Sequence, residues 1–400
     1  MKKLIFILCL LPLFVLAKSQ YLSPLPLPES EVINLDTKYC SSSCLKNYYE
    51  DGLIFSFIAN INDKNKTNSL LEILQGLLVE LNITNLPYFT EKPTFKIALL
   101  IPRQTIGRYS LSATNTVLAY LLNQKNPFSF EVFDSKGEDF TQISQSLEEI
   151  KAKGFTKVIA IFTQNGIQIL NQILTDLTIY IPSIHITQID SPSPHLIFGG
   201  ISYEEQIKTL SSLNPEVNAT SFYDTSYVGV KIQEYTQSYN RNLLFSSPFN
   251  SKDSQNLNKQ IKSIKSTLNG SRIFLNTPVT NSSILLSQIT YNDINAFGIY
   301  STQINYHPSF LSLTQNRDIR KMIIANSIMP LNPKFIEEMH LLNSNLSYDW
   351  ISYSTALGLE HFYTKEIPNA KRYFKEKIKN NQVQYEIMLL APKQNRFEPL

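Results

Sequence analysis

Four shortages frame this 400-residue chain: cysteine, histidine, net charge and long apolar runs. Beyond the first seventeen residues the only cysteines are Cys40 and Cys44, in the run YCSSSC. Three residues separate them where thioredoxin-like redox motifs have two. The five histidines (His185, His195, His307, His340, His361) are dispersed and none pairs at ligand spacing, which argues against a zinc site. A formal charge of +3 with scattered lysines lacks the footprint of a nucleic-acid or anionic-lipid binder. There is no G-x-S-x-G elbow, phosphate loop, H-E-x-x-H or paired acidic motif. The residues therefore imply no enzyme, no metal and no cofactor.

The one long apolar run is at the start. Met1 to Ala17 carries two lysines, then LIFILCLLPLFVLA, with Val15 and Ala17 at the minus three and minus one positions. That is the layout of a secretory signal peptide, and a mature chain would begin at Lys18. The run is shorter than the roughly 20 apolar residues of a spanning helix. Cys9 follows Phe6, Ile7 and Leu8 rather than small residues, so lipidation is not expected. The expected location is the periplasm, where nearby thiols oxidise, and a Cys40 to Cys44 disulfide is favoured over a free or redox-active pair.

Residues 18–92 differ in character from the rest of the chain. Ser23 to Ser30 is proline-rich and reads as extended, whereas Leu45 to Ile61 and Ser69 to Leu81 place apolar residues at helical spacing. A small helical module is expected. From Phe95 a strand and helix rhythm begins: FKIALLIP and a helix at Leu111 to Gln124, FSFEVFDS and a helix at Asp139 to Lys153, KVIAIFT and a helix at Gly166 to Leu177. Strands at Thr178 to Ile184 and Leu196 to Ile201 complete one doubly wound lobe over 93–202. The pattern restarts over 203–329, and residues 330–400 read as a return to the first lobe with a closing strand at Gln382 to Leu390.

KIALLIPRQTIGRYS, IPSIHIT, FYDTSYVGVKIQEY, MIIANSI and DWISYSTALGLEHF stand in an order that resembles the type I periplasmic binding protein superfamily. Within it, STQINYHP and FLNTPVTNSSILLSQI are similar to periplasmic proteins of epsilon-class proteobacteria. A more distant similarity is to the carboxyl domain of lipoproteins that activate peptidoglycan synthases. The resemblance implies an α/β clamshell of two doubly wound parallel-sheet lobes, with ligand between them at the carboxyl ends of the strands.

On that reading the cleft residues are those just after strand ends: Arg103, Thr105, Asp134, Thr163, Asn165 and His185 from the first lobe, Tyr223, Asp224, Ser301 and Thr302 from the second. Hydroxyls and amides dominate, which suits a small polar ligand. Arg103 is the candidate for an anionic group, and Asp224 and Thr225 are also candidate helix caps. Amino-acid receptors of the superfamily resemble one another in using a second-lobe acid for the ligand ammonium; STQ offers none here. DKNKT, ELNIT and EVNAT resemble extended acidic glycosylation sequons, with acceptors Asn65, Asn82 and Asn218. Two functions stay open: a binding or sensing protein for a small ligand, and an envelope scaffold, such as a cell-wall synthesis regulator, that uses the same fold to contact a protein partner.

Overall fold

A computed structural model describes residues 30–32, 34, 39–81, 83–85, 95–124, 126–249 and 256–400. The expected signal peptide, nearly all of the proline-rich stretch and Asn82 lie outside the described residues. The chain forms two compact units, Met1–Lys92 and Pro93–Leu400.

In the first unit a short strand β1 (Ser30–Glu31) precedes α1 (Ser42–Glu50), α2 (Ile54–Asn60), α3 (Asn68–Glu80) and β2 (Ile83–Asn85), which pairs parallel with β1. The sequence suggests one helix over Leu45 to Ile61; the chain breaks it at Gly52. With φ +72, Gly52 lets its own amide reach Tyr49 O and that of Leu53 reach Tyr48 O, so the last carbonyls of α1 are satisfied and the helix stops. Cys40 and Cys44 are disulfide-bonded across the first turn of α1, with Cα atoms 5.4 Å apart. Leu45, Phe57, Ile58, Leu70 and Leu74 make the core. Asn65 is drawn into it, 1% exposed, its amide donating to Cys40 O (2.7 Å) and Asn60 O (2.9 Å). A glycan is therefore not expected at Asn65 in the folded module, because the nitrogen that would carry it is buried and engaged. Asn218, by contrast, is exposed.

The second unit begins with β3 (Phe95–Ile101), α4 (Arg103–Ile106), α5 (Tyr109–Asn123), β4 (Phe128–Asp134), α6 (Phe140–Ala152), β5 (Lys157–Ala160), α7 (Gln164–Leu170), β6 (Thr178–Ile181) and β7 (Leu196–Phe198). A second series continues the chain: α8 (Tyr203–Ser211), β8 (Ala219–Tyr223), α9 (Tyr227–Tyr239), β9 (Leu243–Pro248), α10 (Leu257–Ser263), α11 (Lys265–Leu268), β10 (Arg272–Asn276), α12 (Val279–Tyr291), β11 (Gly298–Ser301), α13 (Pro308–Leu313) and β12 (Met322–Asn326). Then come α14 (Pro333–His340), α15 (Trp350–Glu366), β13 (Lys377–Lys379), β14 (Gln382–Gln384), β15 (Met388–Pro392) and β16 (Phe397–Pro399).

Two seven-stranded sheets result, in the orders β13-β14-β7-β6-β5-β3-β4 and β16-β15-β12-β11-β10-β8-β9. The five strands at the centre of the alternation are parallel in each lobe. Parallel sheets need cover on both faces, and β3 shows why this sequence supplies it. Phe95, Ile97, Leu99 and Ile101 pack under α5, α14 and α15, while Ala98 and Leu100 pack against α6 and α7. Burying each such Leu or Ile contributes roughly 1.5–3 kcal/mol.

The single closing strand expected at Gln382 to Leu390 is two strands in different sheets. β14 joins β7 in the first lobe, and β15 runs antiparallel to β12 in the second. Val383, Tyr385 and Ile387 alternate without a break, so the pattern carries no sign of the crossing. Tyr385 marks it: its hydroxyl donates to Gly199 O (2.7 Å), at an earlier crossing, beside Ser354 on α15, whose hydroxyl donates to the same carbonyl (2.9 Å). One turn further along α15, Gly358 lies under the ring of Tyr180; an added Cβ would stand 2.2 Å from two ring carbons. Gly358→Ala is expected to destabilise by about 2 kcal/mol, overpacking outweighing the better helix propensity of alanine. The urea unfolding midpoint measures it, and an unchanged midpoint would mean the ring moves freely.

Candidate functional site

The order β4-β3-β5-β6-β7 reverses direction between β3 and β5, and the helices that follow those two strands lie on opposite faces of the sheet. That divergence opens a crevice at the carboxyl ends of the strands. A cavity of about 650 Å³ occupies it. The first lobe supplies Thr105, Ile106 and Tyr109 after β3, Ile161 to Gln164 after β5, and Ser183 to His185 with Thr187 and Gln188 after β6. Asp349, Trp350 and Ile351, at the start of α15, close one side. The second lobe gives one face of α9, namely Tyr227, Val228, Lys231 and Tyr235, beside the crossing residues Ile201 to Tyr203. Tyr227 donates its hydroxyl to Gln164 Oε1, and Gln164 donates to Gln188 O (2.8 Å), so the lobes are bridged.

Of the ten residues expected in the cleft, the structure brings Thr105, Thr163 and His185 to this cavity. The other seven lie elsewhere. Arg103 is exposed, its backbone amide donating to Asp134 Oδ1 (3.0 Å); Asp134 also accepts from Lys136 N (2.8 Å) and so organises a turn. Asn165 is exposed on α7, and Tyr223 ends β8 with its carbonyl bound by Phe249 N (2.8 Å). Asp224 supports the α9 cap, but the cap itself is Ser226, whose Oγ accepts from Gly229 N (3.2 Å); Thr225 is exposed. Ser301 and Thr302 are fully buried. The Ser301 hydroxyl donates to Leu275 O (2.7 Å), and Asn305 Nδ2 lies within hydrogen-bond reach of Ser301 Oγ (2.8 Å) and Thr277 O (3.0 Å). Beside them, Gln206 and Gln303 bond each other and Ser327. The strand ends of the second lobe are thus closed by their own side chains.

Thr163 faces the cavity but is engaged. Its amide donates to Glu138 Oε1 (2.7 Å) and its hydroxyl to Glu138 Oε2. Asp349 is engaged as well: Oδ1 accepts from Ile351 N (3.0 Å), and Oδ2 from the hydroxyls of Ser112 (2.7 Å) and Ser352 (2.8 Å). Lys231 pairs with Glu234 (2.7 Å), which raises its pKa. Burial lowers the His185 pKa against the weaker pull of Glu204 and Glu205, so the ring is neutral near pH 7. Nδ1 of that ring lies within hydrogen-bond reach of both the hydroxyl (2.8 Å) and the backbone amide (3.3 Å) of Thr187. Burial pushes the Tyr203 phenol up to about 12. Among the described residues no group of three or more His, Cys, Asp or Glu side chains could hold a metal ion.

The aromatic wall (Tyr109, Phe162, Tyr203, Tyr235, Trp350) was not legible from strand ends, because most of it sits on helices. The spacing of Tyr227, Val228, Lys231 and Tyr235, one face of a helix directly after a strand, was the available signal.

This is the two-lobed α/β fold of the type I periplasmic binding proteins. Solved structures similar to it include an ABC transporter substrate-binding protein from Sphaerobacter thermophilus (TM-score 0.57, 11% identity, 77% of this chain and 96% of that one). A branched chain amino acid ABC transporter from Thermus thermophilus with bound valine gives a TM-score of 0.55 at 13% identity, over 78% and 96% of the two chains. The LpoA (YraM) C-domain from Haemophilus influenzae, a regulator of PBP1A, gives 0.50 at 12% identity, over 76% and 99%. No protein-family model matches the chain, and no curated protein matches it. At these identities the likeness is one of fold.

Proposed function

We propose that this chain is a non-catalytic binding protein of the cell envelope, exported by its amino-terminal segment, that closes two lobes on one small molecule. The observation that carries this is the cavity of about 650 Å³ at the switch point of the first sheet, bridged by Tyr227 and Gln164. The valine held by the similar Thermus thermophilus structure supports a binding role for the architecture. Trp350 is the only tryptophan of the chain and lines the cavity, so its fluorescence reports occupancy. A screen of periplasmic metabolites and cell-wall fragments is expected to yield a compound that changes Trp350 emission and raises the melting temperature. A ligand of the native state at a hundredfold excess over its dissociation constant adds about 2.7 kcal/mol. Tyr227→Ala is expected to weaken that binding, and Arg103→Ala to leave it unchanged. The reverse ranking would move the site, and a screen in which no compound shifts melting would remove it.

A second reading is an envelope scaffold. It is favoured by Tyr39, Phe55 and Val79, exposed apolar side chains of the amino-terminal unit, and by the likeness to the LpoA C-domain. Deleting residues 21–91 would then abolish co-purification of an envelope partner while leaving ligand binding intact.

A further inference from the structure

We infer that the cavity takes a neutral, ring-bearing molecule of mainly apolar surface, rather than a free amino acid or another charged metabolite. The inference rests on the cleft being a ligand site and replaces the small polar ligand expected from the sequence. Its ground is the state of the charged side chains and of the Thr163 donors around the cavity.

A ligand carboxylate needs free donors. The obvious pair, the amide and hydroxyl of Thr163, already holds a carboxylate of the chain itself, Glu138. The fit is built in: a Cβ at Gly166 would stand 2.7 Å from Glu138 Cδ, so the bare glycine is what lets the acid settle on the start of α7. Arg103 lies outside the cavity, and Lys231 is turned to Glu234.

A ligand ammonium needs a free acid. Asp349 is the carboxylate in the lining, and three donors from Ser112, Ile351 and Ser352 already occupy it. On the second-lobe side, Ser301 and Thr302 are fully buried and face no ligand. A zwitterion would therefore leave water for a site in which neither charge meets an unengaged partner, which is strongly unfavourable.

What the cavity does offer is ring faces and aliphatic surface, with the imidazole of His185 as a polar group in the lining. Its volume of about 650 Å³ accommodates a molecule of two or three rings.

The test uses the full chain and N-phenyl-1-naphthylamine, an uncharged two-aromatic probe, followed by energy transfer from Trp350. Two competitors share one side chain: phenylalanine, which is zwitterionic, and N-acetyl-phenylalaninamide, which is neutral. The expected result is saturable binding of one probe per chain, with the amide displacing it at a concentration roughly tenfold or more below that needed for phenylalanine. In a Glu138→Ala variant, which frees the Thr163 donors, N-acetyl-phenylalanine, bearing a carboxylate alone, is expected to gain affinity relative to the wild type. Displacement by phenylalanine at equal or lower concentration than the amide would overturn the neutral class while leaving the site standing. Absence of saturable probe binding, or binding unaffected by Val228→Phe in protein with an unchanged melting curve, would overturn the site and the inference together.

Discussion

Arg272→Met is expected to remove about 3–5 kcal/mol of stability, much of what a domain of this kind has. Arg272 opens β10 and is 1% exposed. Its guanidinium donates to Ser211 O (2.9 Å), Leu213 O (3.1 Å) and Val217 O (3.0 Å), and it lies 5.8 Å from the ring centre of Phe274. Ser211 ends α8, whose last carbonyls have no partner within the helix, and the chain from there to β8 turns through Asn214 at φ +52. One planar fork therefore satisfies three carbonyls that no repeating structure reaches. Methionine fills much of the volume and donates nothing, leaving each carbonyl at a cost of about 1–3 kcal/mol. Lysine can serve one carbonyl at a time and should fall between. Urea unfolding of the wild type, Arg272→Lys and Arg272→Met should rank in that order; a methionine variant within about 1 kcal/mol of wild type would show that the loop finds other donors.

The lobes were legible because burial on both faces of a parallel strand demands an apolar run, and FKIALLI, KVIA and RIFLN stand out between helical periods. The site was less legible. Thr163 could be placed at the cavity from its position after β5, yet what it does there depends on Glu138, 25 residues earlier. Ser301 and Thr302 also come at the end of a strand, and the same rule places them in the cleft. Ser301 faces inward because Asn305, in the turn after β11, gathers it and Thr277 into a buried network, and Thr302 is held there through its carbonyl, which accepts from Asn305 N (3.2 Å). Position after a strand fixes where a side chain begins; which partner captures it depends on tertiary contacts that no local pattern encodes. The split at Tyr385 has the same origin, since the alternation continues across a crossing set by the spacing of two sheets.

The contribution of Glu360 to the stability of the second unit is also expected to fall as pH rises from about 4.5 to about 7. This residue lies on α15, 5% exposed, and its carboxylate accepts from Tyr373 N (2.7 Å) and Phe374 N (3.1 Å). Burial drives the carboxyl up from its ordinary 4.5 to about 7; the two amides and Arg372 pull it down, and Glu376 pushes it further up. Between those values the folded chain holds on Glu360 a proton that the unfolded chain has released, so the slope of this residue's contribution is negative there and flat above, while the neighbouring His361, lowered by burial to about 4, contributes a slope of the opposite sign. A shift of that size corresponds to roughly 3 kcal/mol. Most acids stabilised by partners in the folded state give the opposite slope, which makes the sign diagnostic. Glu360→Gln removes the titration and keeps an acceptor oxygen for one of the two amides. The stability of the wild type minus that of Glu360→Gln, from urea unfolding at pH 4.5, 6 and 8, should therefore decrease along the series. A difference that grows with pH would mean that the amides of Tyr373 and Phe374 outweigh burial and hold Glu360 as a carboxylate throughout.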